Sequence, residues 1–307
     1  MLGAVAAVAQ SYPVKPIRLV VPFAAGGITD IAGRLFADRM SQALGQPVVV
    51  ENRAGGGSRI GADFVAKAPN DGYTVLFANS VTHGILSATE KALSYDPVKD
   101  FVPVIPLASY AVILVVHPSV PAANVAELVA HARANPGKLN YASAGPGSGV
   151  HFAAELFRTL AKVEIVHVPY KGSGPALQAV VAGDAQLTFD GAAKPAIDAG
   201  RVRALGVLDH RRDARFPNLP TVEEAGLRGC VLVTRQSLAV PAGTPSEVVA
   251  RPNAAGNAAL ADAKLQARMG ELGLTPIGGT AQRLAEIIGE DVALYRRIAV
   301  DAKLTFH

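Results

Sequence analysis

Ile17-Arg18-Leu19-Val20-Val21-Pro22-Phe23-Ala24-Ala25-Gly26-Gly27-Ile28-Thr29-Asp30 carries an apolar strand through a glycine loop into a helix. Leu139-Asn140-Tyr141-Ala142-Ser143-Ala144-Gly145-Pro146-Gly147-Ser148-Gly149-Val150-His151 repeats that design far along the chain. Such a junction aims unpaired backbone N–H groups and the positive end of a helix dipole at one spot. Two of them facing across a cleft would hold one carboxylated molecule from both sides. Capture of a small acid, rather than chemistry on it, is the expectation.

Strands and helices alternate along the rest of the chain, which predicts an α/β protein with largely parallel sheets. Ile31, Leu35, Phe36, Met40 and Leu44 share one helical face, and Gly45 is placed to stop that helix. Pro47-Val48-Val49-Val50-Glu51 and Thr74-Val75-Leu76-Phe77-Ala78 read as the next strands. Residues 101–117 are apolar and broken by Pro103 and Pro106, as suits a passage from one lobe to another. Asn124 caps a helix that Asn135-Pro136-Gly137 ends. Residues 231–240 could return the chain to the first lobe, and three helical patterns finish it. The predicted division is a first lobe of residues 10–108 plus 231–307 and a second of 109–230. Lobes joined by two crossings move as rigid bodies about a few hinge residues.

With 307 residues, 50% of them hydrophobic, the chain is long enough for two globular domains. A net charge of +4 without a basic cluster interleaved with aromatics gives no support to nucleic-acid binding. No apolar run approaches the roughly 20 residues that span a bilayer, so membrane insertion is not expected. Residues 1–9 end in Ala7-Val8-Ala9, which fits a small-residue cleavage site, although the charged start of a signal peptide is missing. They read as the remainder of an export leader or as a short tail. Cys230 is the only cysteine, so no disulfide forms within the chain, and a structural zinc site is not expected.

In the first loop, Gly26 and Gly27 allow close backbone approach, Phe23 offers a ring to a ligand, and Thr29 or Asp30 can cap the helix. The same residues also suit a plain turn between strand and helix. In the second loop Ser143, Gly147, Ser148 and Gly149 supply short donors. His151 sits in the first helical turn, where the dipole disfavours its protonated form. Ser148 lacks the G-x-S-x-G setting of a nucleophile elbow, and neither loop has the spacing of a nucleotide-binding motif. Arg59, after the glycine run 55–57, either approaches an acid ligand or faces solvent. Ser80 and Thr82 follow a strand at its C-terminal end, where open α/β sheets bind ligands. Asp190 could accept from a ligand amine or hydroxyl, or cap the helix after it.

The chain resembles the Bug-type extracytoplasmic solute receptors of tripartite tricarboxylate transporters over nearly all its length after Gln10. The resemblance rests on the two loops, on Val50-Glu51-Asn52-Arg53 with its glycine run, and on Asp71-Gly72-Tyr73-Thr74. Glu155, Val168-Pro169-Tyr170-Lys171-Gly172-Ser173-Gly174-Pro175-Ala176, Phe189-Asp190, Leu219-Pro220-Thr221-Val222 and Pro241-Ala242-Gly243-Thr244-Pro245 complete it. It implies a two-lobed periplasmic-binding-protein fold, type II-like, with two crossing strands and a cleft between the lobes. It also implies a periplasmic receptor, secreted across the inner membrane, whose two loops grip a carboxylate. Two departures stand out: Ser58-Arg59 replaces the family's usual Gly-Asn, and Val233-Thr234-Arg235-Gln236-Ser237 replaces an aromatic residue followed by glycine.

The resulting expectation is a monomeric, non-enzymatic receptor without cofactor or metal. It delivers a dicarboxylate, acidic amino acid or aromatic carboxylate to a membrane permease or a sensor kinase. Ligand-binding residues are Phe23, Gly26, Gly27, Thr29, Asp30, Ser143, Gly147, Ser148, Gly149 and His151, with Ser80, Thr82, Tyr170 and Asp190 reading the rest of the molecule. The alternatives are a hydrolase or isomerase using His151, Asp30 or Asp190, and the effector-sensing domain of a regulator.

Overall fold

A computed structural model describes residues 12–90 and 92–301. The leader-like segment 1–9 lies outside the described residues. The chain opens with β1 (Ile17–Val21), α1 (Ile28–Leu44), β2 (Val48–Asn52), α2 (Arg59–Ala66) and β3 (Thr74–Asn79). A π-helical turn, Val81–Ile85, runs into α3 (Leu86–Thr89), and β4 (Phe101–Ala111) follows.

The chain then continues through β5 (Ile113–Val116), α4 (Val125–Ala134), β6 (Leu139–Ser143), α5 (Gly149–Ala161) and β7 (Ile165–Pro169). Next come α6 (Ser173–Ala182), β8 (Leu187–Asp190), α7 (Lys194–Asp198) and β9 (Arg203–Val207). The return strand β10 (Val233–Pro241) leads to α8 (Ser246–Leu260), α9 (Ala263–Leu272), β11 (Thr275–Pro276) and α10 (Ala281–Asp301).

These strands form two sheets, ordered β11-β4-β10-β3-β1-β2 and β7-β6-β8-β5-β9. The chain passes from the first to the second at Val112 and comes back between Val207 and Val233. Both sheets are mixed, which corrects the expectation of largely parallel pairing. β1 runs parallel to β2 and β3, and β6 to β7 and β8. The return strand β10 lies antiparallel to β3 and β4, and β5 antiparallel to β8 and β9. A chain that leaves a lobe and re-enters it beside the exit must reverse direction there. Apolar patterning reports burial, not strand direction, so the sequence carried no trace of this.

Each lobe buries its sheet under the helices that follow the strands. Phe36 of α1 packs on Phe77 of β3 with ring centroids 6.3 Å apart, and Phe157 of α5 on Phe189 of β8 at 5.8 Å. All four side chains are fully buried, and burial of each contributes roughly 1.5–3 kcal/mol. Gly45 ends α1 in the left-handed conformation (φ 68°), where its N–H donates to Ser41 O at 3.0 Å. Asn124 caps α4 by accepting from the Glu127 N–H.

Helix α1 begins earlier than its sequence suggested. Gly27 occupies the cap, and Thr29 and Asp30 already lie in the first turn. Asp30 turns back instead: its carboxylate accepts from the Gly26 N–H at 3.0 Å, from Asn52 Nδ2 at 2.9 Å and from Arg34. Asn52 also donates to Phe23 O at 3.0 Å. The buried carboxylate thus shapes the loop, and these hydrogen bonds together hold its pKa below the ordinary range against the opposing effect of burial.

Candidate functional site

The N-termini of α1, α5 and α6 meet at one cavity between the two sheets. One wall is built from Phe23, Gly27, Ile28, Thr29, Asn79, Val81 and Tyr110, and Thr234 of the return strand closes it. The facing wall carries Ala144, Ser148, Gly149, Val150, Ser173, Phe189, Asp190 and Gly191. The space measures about 50 Å³, room for roughly four waters or for one carboxylate group.

At the first loop, Ile31 is the first residue to donate within the helix, to Gly27 O at 3.0 Å. The amides of Ile28 and Thr29 therefore have no intrahelical acceptor and stand at the cavity. The second loop commits more of its amides to itself than its sequence implied. Gly145 N–H donates to Ser143 Oγ at 3.0 Å, Gly147 N–H to His151 Nδ1 at 3.1 Å, and Ser148 N–H to Gly145 O at 3.2 Å. Only the amides of Gly149 and Val150, behind the Ser148 cap, are left at the cavity by this arrangement. Ser148 Oγ itself donates to Gly145 O at 2.6 Å and accepts from the His151 N–H at 3.2 Å.

Sequence reasoning placed a helix over Pro175–Val181 but did not read its N-terminus as part of the site. Val168-Pro169 ends a strand and Tyr170-Lys171-Gly172-Ser173-Gly174 leads straight into α6. That is the same strand–glycine–helix signal as in the two loops, and Ser173 reaches the cavity wall. A Cβ on Gly27 would stand 2.6 Å from Ser173 Oγ, so the lobes meet at glycine.

The predicted site residues divide by place. Phe23, Gly27, Thr29, Ser148, Gly149 and Asp190 line the cavity. Gly26, Asp30, Ser143, Gly147 and His151 stand behind it and shape the loops. The His151 ring stacks on His167 at 4.2 Å, and His167 on Tyr141 at 4.8 Å. Burial first, and the neighbouring His167 second, push the His151 imidazole down to about 4, so it stays neutral and accepts from Gly147.

Ser80 and Thr82 face the protein interior, because the π-helical turn after β3 rolls them under the sheet. Ser80 Oγ donates to Asp291 of α10 at 2.6 Å and accepts from the Arg235 N–H at 2.9 Å. Tyr170 belongs to a separate, outer cavity. Arg59 neither lines the inner cavity nor extends freely: it pairs with Glu90 at 2.8 Å. The unusual segment of β10 divides by strand alternation, with Thr234 on the cavity and Arg235 turned to an ion pair with Asp291.

Among the described residues no Lys or Arg side chain lines the inner cavity, and the helix ends supply its positive charge. Asp190 is the one carboxylate there among the described residues, 4% exposed, with one oxygen taking the Ala192 N–H at 2.6 Å. Burial pushes its pKa up to about 7. An acid whose pKa is raised by folding holds its proton more tightly when folded. Its contribution therefore lowers stability as pH climbs from the usual carboxylate range through 7. Asp190→Asn keeps the acceptor for Ala192, so thermal denaturation should show a higher Tm than wild type at pH 8 and a smaller difference at pH 5. Equal Tm differences at both values would refute the buried-acid assignment.

Ser143 Oγ lies 2.6 Å from His167 Nε2, the nearest thing to a nucleophile and its base, yet Ser143 is fully buried and off the cavity wall. Among the described residues no three His, Cys, Asp or Glu side chains gather as a metal site, and no helix is long and apolar enough to cross a membrane.

Two mixed α/β lobes, two crossings and a cleft fed by helix N-termini from both sides define a periplasmic-binding-protein fold. The sequence model described as the tripartite tricarboxylate transporter family receptor matches residues 32–304. The chain belongs to that family of solute receptors. It is 39% identical over 298 residues to a protein of Pseudomonas sp. strain P51, named UPF0065 protein in tcbD-tcbE intergenic region, covering 96% of this chain and 88% of that one. The structure of R. palustris Rpa4515 with adipate is similar at TM-score 0.92 and 37% identity, over 96% of this chain and 99% of that one. MatC (Rpa3494) from Rhodopseudomonas palustris with bound malate is similar at TM-score 0.90 and 35% identity, over 94% and 99%.

Proposed function

We propose that this protein is a periplasmic receptor that closes over a small carboxylated acid and hands it to a membrane permease or a sensor. The observation that carries this reading is the convergence of helix N-termini from both lobes on a cavity with no cationic side chain among the described residues. Each such end supplies roughly half a positive charge and oriented N–H donors, the donors a carboxylate accepts from. α1 sits on one lobe and α5 and α6 on the other, so the full donor set exists only when the lobes are together. A ligand that touches both sides therefore stabilises the closed form by the contacts it lacks in the open one. That relatives of the same fold carry adipate and malate supports a carboxylate as the shared chemistry.

Delivery and export belong to the same proposal. Cleavage after Ala7-Val8-Ala9 predicts that the mature protein from cells starts near Gln10, which N-terminal sequencing reads directly. Calorimetric titration with mono- and dicarboxylates, amino acids and aromatic acids tests the ligand class. Heat and a raised Tm with at least one acid are expected, and silence across the panel would remove the receptor reading.

Asp190 gives the titration a pH signature. An anionic ligand is opposed once that side chain ionises, so monocarboxylate affinity should fall above pH 7, approaching about tenfold per unit. Asp190→Asn should flatten the profile. A wild-type profile already flat from pH 6 to 8 would exclude Asp190 from the ligand's neighbourhood.

A further inference from the structure

Arg215 is a buried arginine off the cavity wall, and it touches both lobes. Its segment, between β9 and the return strand β10, belongs to the second lobe. Thr221 there bridges to Val207 of β9, and Phe216 packs on the small core that includes Ile113 and Val202. The Arg215 side chain is 5% exposed, and its Nε and Nη2 donate to Asp213, 6% exposed, at 3.0 and 2.6 Å. Its third nitrogen, Nη1, faces two carbonyls from different lobes. It donates to Leu272 O at 2.8 Å and to Gly191 O at 3.3 Å.

Both carbonyls lead to the binding cavity. Gly191 follows Asp190 in its wall. Leu272 ends α9 of the first lobe, and α9 packs on α1, whose N-terminus reaches the cavity from the other side. A carbonyl at a helix C-terminus carries partial negative charge, so a guanidinium is well placed there. The fit is close: a Cβ on Gly273, the residue that caps α9, would stand 2.1 Å from Arg215 Cζ. The charge of Arg215 also acts on Asp190, against the rise that burial imposes on its carboxyl.

The contact lies beside the hinge. Gly191 abuts Tyr110 and Ala111 at the end of β4, just before the Val112 crossing. β11, which begins three residues past Leu272, pairs with β4 at Ser109 and Ala108. A hydrogen bond is lost by about 3.6 Å, so a rotation that carries α9 from the second lobe breaks the one to Leu272. We propose that Arg215 is a positioning residue for ligand capture, tying the Asp190–Gly191 wall to the α9 C-terminus of the opposite lobe when the lobes close. This rests on the receptor reading and adds a contact that favours closure without touching the acid. Asp213 already orients the guanidinium within the second lobe, so closure presents a prepared donor and costs little side-chain entropy.

Gly273→Ala tests the tether while keeping both members of the buried ion pair, because its methyl pushes the guanidinium off Leu272 O. Gly45→Ala is the control: Gly45 caps α1 at φ 68°, against 72° for Gly273, with nothing within 4 Å of an added Cβ. A second variant, Asp213→Asn with Arg215→Gln, removes both charges of the pair together. Calorimetry with succinate, adipate, malate, glutamate and benzoate, and small-angle X-ray scattering without ligand, read the outcome. Gly273→Ala and the double variant should bind the acid that wild type holds most tightly about tenfold more weakly than Gly45→Ala does. Their ligand-free radius of gyration should exceed that of Gly45→Ala. Affinity equal to Gly45→Ala in both would overturn the tether while leaving the receptor reading in place. Should wild type bind none of the five acids, the receptor reading falls, and equal radii in all the variants would then overturn the tether as well.

Discussion

Gly57→Ala should weaken ligand binding about 100-fold while the protein still folds. The reason lies at the seam between the lobes. A Cβ on Gly57 would stand 2.6 Å from the Gly147 carbonyl carbon and 2.8 Å from the carbonyl oxygens of Gly147 and Pro146. These are backbone atoms and cannot rotate aside, so the lobes would have to part. Overpacking of this kind costs about 1–3 kcal/mol, and 1.4 kcal/mol is a factor of ten in affinity. The positive φ of Gly57 (62°) adds a stability loss that is separate from closure.

Gly45→Ala isolates the second effect. Gly45 has nearly the same φ, 68°, with nothing within 4 Å of an added Cβ, and it caps α1 far from the cleft. It should lower Tm without changing the dissociation constant. Calorimetry on both variants decides the matter, and wild-type affinity in Gly57→Ala would show that binding does not need the lobes this close.

His151→Ala should cost about 3 kcal/mol of stability and at least tenfold in affinity, although the imidazole is not on the cavity wall. Its loss removes the acceptor for the Gly147 N–H and empties the stack on His167, so the second loop is no longer held in shape. The same pair supplies a pH dependence. The groups facing His151 are His167 of β7, Tyr141 of β6, and Glu155 and Arg158 of its own helix. A base pushed down from 6.5 to about 4 takes its proton first in the unfolded chain. Stability is thus intact above 6.5 and falls as pH drops toward 4, by at most about 3 kcal/mol. His167 is pushed down by burial and acts in the same direction. Denaturant unfolding from pH 7 to 4 should be much less steep in His151→Ala than in wild type. Parallel profiles would mean that the imidazole is a spectator.

The two glycine loops were legible because their signal is local. A strand, a glycine turn and a capped helix follow one another within fifteen residues, and the geometry that makes an amide available is fixed by that order. Helix ends such as Gly45 and caps such as Asn124 were legible for the same reason. The exact donor set was not. Which amides are used up inside the second loop depends on His151, and on His167 sixteen residues further along, which holds Ser143. Ser80 and Thr82 followed a strand at the expected end, yet a π-helical turn and a carboxylate on α10, Asp291, drew them inward. Asp291 is more than two hundred residues from Ser80, and no pattern in either segment announces the other.

By itself, then, the sequence determined the α/β class, the family, and the two junctions that place helix amides at a cleft, since each is written in contiguous residues. Only the tertiary structure decided that the sheets are mixed, that α6 adds a third helix end, and that Gly57 lets the lobes touch. These depend on segments brought together from opposite lobes. Distance between such segments is set by packing of the whole chain, and a single strand or loop carries no record of it.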